Sequence, residues 1–373
     1  MRLAALAALA ALSLALASPA LAADPPRPAN RAEAQAMIAD LRKVVTPNGI
    51  ERREKVRIGG IDQWVTIRGH DRRNPVLLYI HGGPGYPMMP SSWWFQTGWE
   101  DYFTVVEWDQ RGAGKTYIAN DAAAVRPTLT RERMVADAEE LTAWLRKDLG
   151  KDKIFVLGHS WGSYVGLTLA ERRPEWLHAY IGVGQIADGP EGERRGWAFA
   201  MDAAKKAGNA KAVAELQAIA PYAAPGRPIP LKDLYVQRRW LGTYGGAVAF
   251  RSSFDAEEGA MALSPDYTDA DIAKVWEASD ASEEALLAGV VGLDMSQIRT
   301  LKCPLILLEG RHDYNVSSSA AAEWFAKVKA PAKQFVWFES SAHMPMLEEP
   351  GKFLVSLVRY ARPIAEKAGD VAP

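Results

Sequence analysis

The 373-residue chain reads as an α/β protein, with a mostly parallel central sheet flanked by helices and an inserted, mainly helical cap. Three observations predict this. Strand-like apolar runs alternate with helix-like segments over roughly residues 50–184 and again over 299–373. The run Pro75-Val76-Leu77-Leu78-Tyr79-Ile80 is apolar throughout, as expected of a strand covered on both faces. Between about 185 and 298 the alternation stops, and the composition shifts to Ala, Arg and Glu with helical spacing.

The first residues stand apart from this pattern. Arg2 is followed by the Ala/Leu-rich run Leu3 to Leu16 and by the small-residue pattern Ala20-Leu21-Ala22. Residues 1–22 therefore read as a secretory signal peptide, since the run is short for a spanning helix and no basic stop-transfer cluster follows it. The expected location is the periplasm or the medium, with no membrane segment after cleavage. Residues 23–49 follow as a Pro/Ala linker and a short surface helix over 31–44.

The first part of the core, 50–184, opens with strands at 55–58 and 63–67 joined through Gly59-Gly60. The buried strand 75–80 runs into His81-Gly82-Gly83-Pro84-Gly85, a loop whose backbone can approach another group closely. A strand at 103–108 leads into Asp109-Gln110-Arg111-Gly112-Ala113-Gly114-Lys115-Thr116. The tail Gly-Lys-Thr is not a phosphate loop, because that motif requires glycine where Asp109 stands, so the segment reads as a structural turn. An amphipathic helix over 127–149, entered at Thr130 and closed by Gly150, precedes the strand 153–157; the next strand is 179–183.

The cap, 185–298, shows helix-like stretches at 196–206, 210–219 and 270–278. The second part of the core, 299–373, then supplies a strand at 304–309, a helix at 317–330, a strand at 334–338 and a last helix at 350–360. With 44 basic against 45 acidic side chains there is no basic face for nucleic acid, and a small molecule or short peptide is the expected partner. Cys303 is the only cysteine, so no intramolecular disulfide forms, and its place before an apolar run predicts a buried thiol.

The chemistry is concentrated in Gly158-His159-Ser160-Trp161-Gly162, between an apolar strand and a helix starting near Tyr164. Such a strand–turn–helix lifts a serine out of the sheet, where a base can reach it and backbone N–H groups face the reacting oxygen. The expected chain order is serine, acid, histidine. Of six histidines only His178, His312 and His343 follow Ser160. His178 precedes the cap and His312 directly precedes the best acid, which leaves His343 as the base. Asp313, in the polar loop after strand 304–309, is the favoured carboxylate, with Asp294 as runner-up. The backbone N–H groups of Gly83 and Trp161 are the expected oxyanion donors. Trp93, Trp94 and Trp99 are candidates either for the pocket entrance or for packing.

His81-Gly82-Gly83-Pro84-Gly85, Asp109-Gln110-Arg111-Gly112-Ala113-Gly114 and Gly158-His159-Ser160-Trp161-Gly162-Ser163 together resemble the proline iminopeptidase family of α/β-hydrolases. The resemblance covers about 50–185 and 300–362 and touches the cap poorly. It implies an α/β-hydrolase fold, a serine triad without cofactor or metal, and removal of an N-terminal residue, often proline, from peptides. Two positions depart from the family pattern: His159 stands where a glycine is usual, and Lys115-Thr116 replaces the usual end of the Asp-Gln-Arg-Gly segment. The family grips a free α-ammonium with cap carboxylates; this cap offers Glu191, Glu193, Glu215, Asp255, Glu257, Glu258, Glu277, Glu283 and Glu284, and no motif selects among them. A carboxylesterase or lactonase on the same framework, and a non-catalytic ligand-binding homologue, are the alternatives. Epoxide hydrolases share the His-Gly-Gly-Pro loop but use an aspartate nucleophile, as haloalkane dehalogenases do, and Ser160 argues against both.

Overall fold

The computed structural model describes residues 27–373; the expected signal peptide lies outside the described residues. One sheet of eight strands organises them: β1 (Ile50–Ile58), β2 (Ile61–Gly69), β3 (Val76–Ile80), β4 (Thr104–Trp108), β5 (Ile154–His159), β6 (Leu177–Val183), β7 (Leu305–Gly310) and β8 (Lys333–Phe338). Their spatial order is β1-β2-β4-β3-β5-β6-β7-β8. β1 pairs antiparallel with β2 and β2 antiparallel with β4, and every other pairing is parallel. The hairpin is longer than expected. β1 lies at the sheet edge, and its start carries Glu51, Arg52, Arg53 and Glu54, so no apolar run marks it.

Strands β3 to β7 are buried along their whole length, and because successive side chains point to opposite sides, both of their faces are covered. Along β3, Val76, Leu78 and Ile80 pack with Met134 and Leu141 of the helix Arg131–Asp148 and with Val165 of the helix Trp161–Arg172. Leu77 and Tyr79 face the other way, toward Phe95, Trp99 and Phe353. The helix Arg131–Asp148 begins where the Thr130 side chain accepts the Arg133 N–H at 3.1 Å. At the C-terminus the expected single helix is instead Pro350–Ser356, a π-turn over Leu357–Ala361 and a final helix Arg362–Lys367.

Between β6 and β7 the chain leaves the sheet and forms five helices: Gly189–Lys206, Ala210–Ala218, Leu231–Thr243, Asp255–Met261 and Asp269–Val290. The first starts earlier than its apolar pattern suggests, because Asp188 caps the Glu191 N–H at 2.9 Å and a proline stands in its first turn. The last is far longer than the expected 270–278. Its packing face carries Ser279 and Ser282, whose small side chains lie against the loop at Gly85, and the Ser282 hydroxyl donates to Gly112 O at 2.8 Å. The serines interrupt the apolar spacing of Val275, Ala278, Leu286 and Val290 on the same buried face, which shortens the period that can be read. Among the described residues, no helix is both long and apolar enough to cross a membrane.

Candidate active site

The carboxyl ends of β3, β5, β6, β7 and β8 lie along one edge of the sheet, the edge at which open α/β sheets bind ligands. Ser160 follows β5 at once and holds φ 55° and ψ −121°, a backbone conformation that non-glycine residues rarely adopt. Its N–H donates to Val183 O at 2.9 Å, tying the turn to the end of β6. The helix Trp161–Arg172 starts directly after it, so the first N–H groups of that helix have no intrahelical acceptor.

Asp313 sits in the loop after β7, buried. One carboxylate oxygen accepts the N–H groups of Asn315 and Val316, both at 2.9 Å. The other lies 2.8 Å from Nδ1 of His343, in the loop after β8. With Nδ1–H donating to Asp313, Nε2 carries the free lone pair. The His343 main chain is fixed as well, its N–H donating to Ala247 O at 3.0 Å and its carbonyl accepting from His159 Nε2 at 2.8 Å. His159 is buried and packs its ring 4.8 Å from that of His343; burial, with His343 beside it, holds its pKa well below the usual histidine range. It is therefore neutral.

Gly184, at the end of β6, carries no signal in the sequence that marks it as a site residue. Its φ is +52°, and a Cβ there would stand 3.0 Å from His343 Cε1 and 3.3 Å from Asp313 Oδ2. A side chain at this position would crowd the acid–base pair, which glycine leaves room for. Gly83 is constrained in the same way, with φ +102° and only 2.6 Å between a notional Cβ and the nitrogens of Gly85 and Tyr86.

Gln110 joins the two loops that hold the expected oxyanion donors. Its Nε2 donates to His81 O at 2.8 Å, and its Oε1 accepts from Trp161 Nε1 at 3.1 Å. His81 donates through Nδ1 to Gly82 O at 2.9 Å and accepts the Gln110 N–H at Nε2, 3.2 Å away; burial depresses its pKa to about 4. The rest of this segment is scaffold. Asp109 accepts the Lys115 N–H at 2.7 Å, the Thr116 hydroxyl donates to Asp109 O at 2.6 Å, and Arg111 pairs with buried Asp137 at 2.8 Å. Lys115 stands over the Trp64 and Tyr267 rings at 5.3 and 5.1 Å, with Asp271 at 3.6 Å.

A cavity of about 360 Å³ opens at Gly82, Gly83, His159 and His343 and extends under the cap, walled by Ile186, Leu287, Val290, Val291 and Val316. Three of the nine cap carboxylates line it: Glu193, Glu258 and Glu283. Glu193 is already matched, by both terminal nitrogens of Arg238 and by the Tyr222 hydroxyl at 2.8 Å. Glu258 and Glu283 form no ion pair among the described residues. Burial raises the pKa of both, helped at Glu258 by Asp255 and Glu257 and at Glu283 by Asp280. Glu191, Glu215, Glu257, Glu277 and Glu284 are instead paired with Arg195, Arg239, Arg251, Lys274 and Arg126 outside the cavity lining.

The remaining candidates lie elsewhere. The Asp294 carboxylate accepts the Ser296 N–H at 2.8 Å and a Gln297 side-chain N–H at 3.3 Å, and its main chain forms an isolated antiparallel bridge with that of Asp188. His178 bonds Asp370 at 2.9 Å, and His312 stacks edge-on against exposed Phe250 at 4.9 Å. Trp99 is core, stacked on Phe353 at 5.1 Å; Trp93 donates to Ala260 O at 3.2 Å, and neither they nor Trp94 line the cavity. Cys303 is buried, which pushes its thiol up to about 11.

A family model described as "Alpha/beta hydrolase family" matches residues 77–357. The chain belongs to that family. This α/β-hydrolase is 28% identical over 311 residues to a probable aminopeptidase YbaC of Bacillus subtilis, covering 83% of this chain and 96% of the relative. It is 25% identical over 286 residues to a proline iminopeptidase of Heyndrickxia coagulans, covering 75% of this chain and 88% of that one. The fold is similar to that of a proline iminopeptidase-related protein from Thermus thermophilus, with TM-score 0.59, 21% identity, and 84% of this chain and 99% of that one covered. It is also similar to that of an esterase from Rhodococcus sp. ECU1013, with TM-score 0.53, 15% identity, and 85% and 99% covered.

Proposed function

We propose that this α/β-hydrolase is an exported serine hydrolase that cleaves a small amide or ester through an acyl-enzyme, and that it acts as a proline iminopeptidase-like aminopeptidase. The observation that carries the reading is the Asp313–His343 pair, 2.8 Å apart, at the sheet edge that bears Ser160 on its strained turn. In this mechanism His343 Nε2 takes the Ser160 hydroxyl proton as Oγ bonds to the substrate carbonyl carbon. The N–H groups of Gly83 and Trp161 hold the oxyanion, and the helix starting at Trp161 adds its positive end. His343 then gives the proton to the leaving amine, the C–N bond breaks, and water, activated by the same imidazole, releases the acyl group and restores Ser160.

The cavity supports the aminopeptidase version. Glu258 and Glu283 bring two carboxyl groups without an ion-pair partner to a pocket that also has an apolar wall and whose lining cation, Arg238, is held by Glu193, which suits a small apolar residue carrying a free α-ammonium. The names of the relatives point the same way. An ester substrate is favoured by a different observation, the apolar wall from Leu287 to Val291, which seats an acyl chain without using either carboxylate.

Labelling with a fluorophosphonate, lost in Ser160→Ala, tests the nucleophile; no labelling of the folded protein rejects a serine hydrolase and leaves the ligand-binding homologue. Prolyl and alanyl arylamides with free and blocked amino termini, set against short aryl esters and lactones, test the substrate. Turnover that requires a free terminus supports the aminopeptidase, and equal cleavage of blocked substrates rejects it. Export rests on the pattern of residues 1–22 and is tested by N-terminal sequencing of the protein produced in a bacterium, expected to begin at Ala23.

A further inference from the structure

We propose that Glu348 is the positioning residue of the catalytic base, clamping the main chain on both sides of His343 and tying it to the cap. The assignment rests on the reading of His343 as that base. Glu348 ends the short helix Pro345–Glu348 that follows the His343 loop. One of its oxygens accepts the N–H groups of Ala342 at 2.9 Å and Met344 at 3.0 Å, the two residues flanking the histidine. Its other oxygen accepts the N–H of Ala249, from the cap, at 2.6 Å.

Three backbone donors therefore converge on one carboxylate. The cap segment they include is also bonded to the site at two further points, Ala247 O to the His343 N–H at 3.0 Å and Gly246 O to the Tyr314 N–H at 2.9 Å, next to Asp313. Residues 246–249 are stitched between the acid loop and the base loop. A carboxylate suits this place and an amide does not. Glutamine offers a single acceptor oxygen, and its NH₂ would face at least one of the three N–H groups, leaving a buried donor unmatched. Charge-assisted bonds to backbone N–H groups are also roughly twice as strong as neutral ones. Burial works against the charge and raises the Glu348 pKa, while the three N–H groups oppose that shift. The role is positional, since Glu348 acts through the main chain: loosening residues 342–344 lets the imidazole drift from the geometry set by Asp313, and drift of about 1 Å is costly in rate.

The test compares wild type, Glu348→Gln and Glu348→Asp on a short aryl ester, together with the downfield proton resonance of the His343 Nδ1–H. The expected result is a fall in kcat of about 10- to 100-fold in Glu348→Gln with KM within about twofold, a shifted or broadened Nδ1–H signal, and partial recovery of both in Glu348→Asp. Wild-type kcat with an unchanged resonance overturns the assignment, as does a rise in KM alone. If fluorophosphonate does not label the wild type, the serine-hydrolase reading fails separately. The Nδ1–H resonance then still decides whether Glu348 holds His343 in place.

Discussion

His343 Nδ1 and Asp313 Oδ2 lie 2.8 Å apart although thirty positions separate them, and the other oxygen of Asp313 is held by the N–H groups of Asn315 and Val316. The acid is thus locked before it meets the base. Replacing Asp313 by Asn puts an amide where an acceptor is needed and favours the wrong imidazole tautomer. The expected loss in kcat is about 10³- to 10⁴-fold with little change in KM, measured with an activated ester.

Gly184→Ala places a methyl group 3.0 Å from His343 Cε1 at a backbone φ of +52°. Either the imidazole or the turn must move. We expect kcat to fall about tenfold or more, and stability to fall by about 1 kcal/mol or more in urea unfolding. An active variant of wild-type stability would show that the space beside His343 is not needed.

Glu258→Gln and Glu283→Gln separate the two substrate readings. With a free-amino arylamide, each is expected to raise KM about 10- to 100-fold, because a charge-assisted contact to the ammonium is lost. Esters and amino-blocked amides should be unaffected. Equal effects on both classes would assign these carboxylates to the fold.

Asp109 gives stability a pH dependence of defined sign. Burial raises its pKa to about 7, so between about 4 and 7 the folded state binds more protons than the unfolded one. Its contribution therefore falls as pH rises through that window. Asp109→Asn keeps an acceptor for the Lys115 N–H and removes the titration, so the variant should gain on the wild type between pH 5 and pH 8. The urea midpoints of the two proteins at these pH values measure it. The neutral His81, with pKa near 4, acts in the opposite direction, removing stability as pH falls below about 6.5.

Most of the sheet is legible in the sequence because β3 to β7 are covered on both faces and read as apolar runs. The edge strand β1 begins earlier than its pattern shows, since charged side chains mask an edge. In the cap, Leu231–Thr243 and Asp255–Met261 carry no readable helical pattern. Their buried faces mix apolar and polar side chains, Leu234, Trp240 and Leu241 with Gln237 on the first and Met261 with Glu257 on the second, which blurs the apolar period.

The sequence by itself determined the strand–turn–helix at Ser160 and the two glycine-bearing loops, because each is a local backbone requirement written in adjacent residues, and chain order along the strands pointed to the candidate base and acid. Only the tertiary structure decided which carboxylates face the cavity. Glu193 is matched by Arg238, 45 positions away, and nothing local distinguishes it from Glu258 or Glu283. Gly184 and Glu348 are likewise invisible in the sequence, one defined by the space it leaves and the other by N–H groups brought from the cap and from beside His343. Charge matching and empty space depend on which distant groups come to lie together, and that is set by packing.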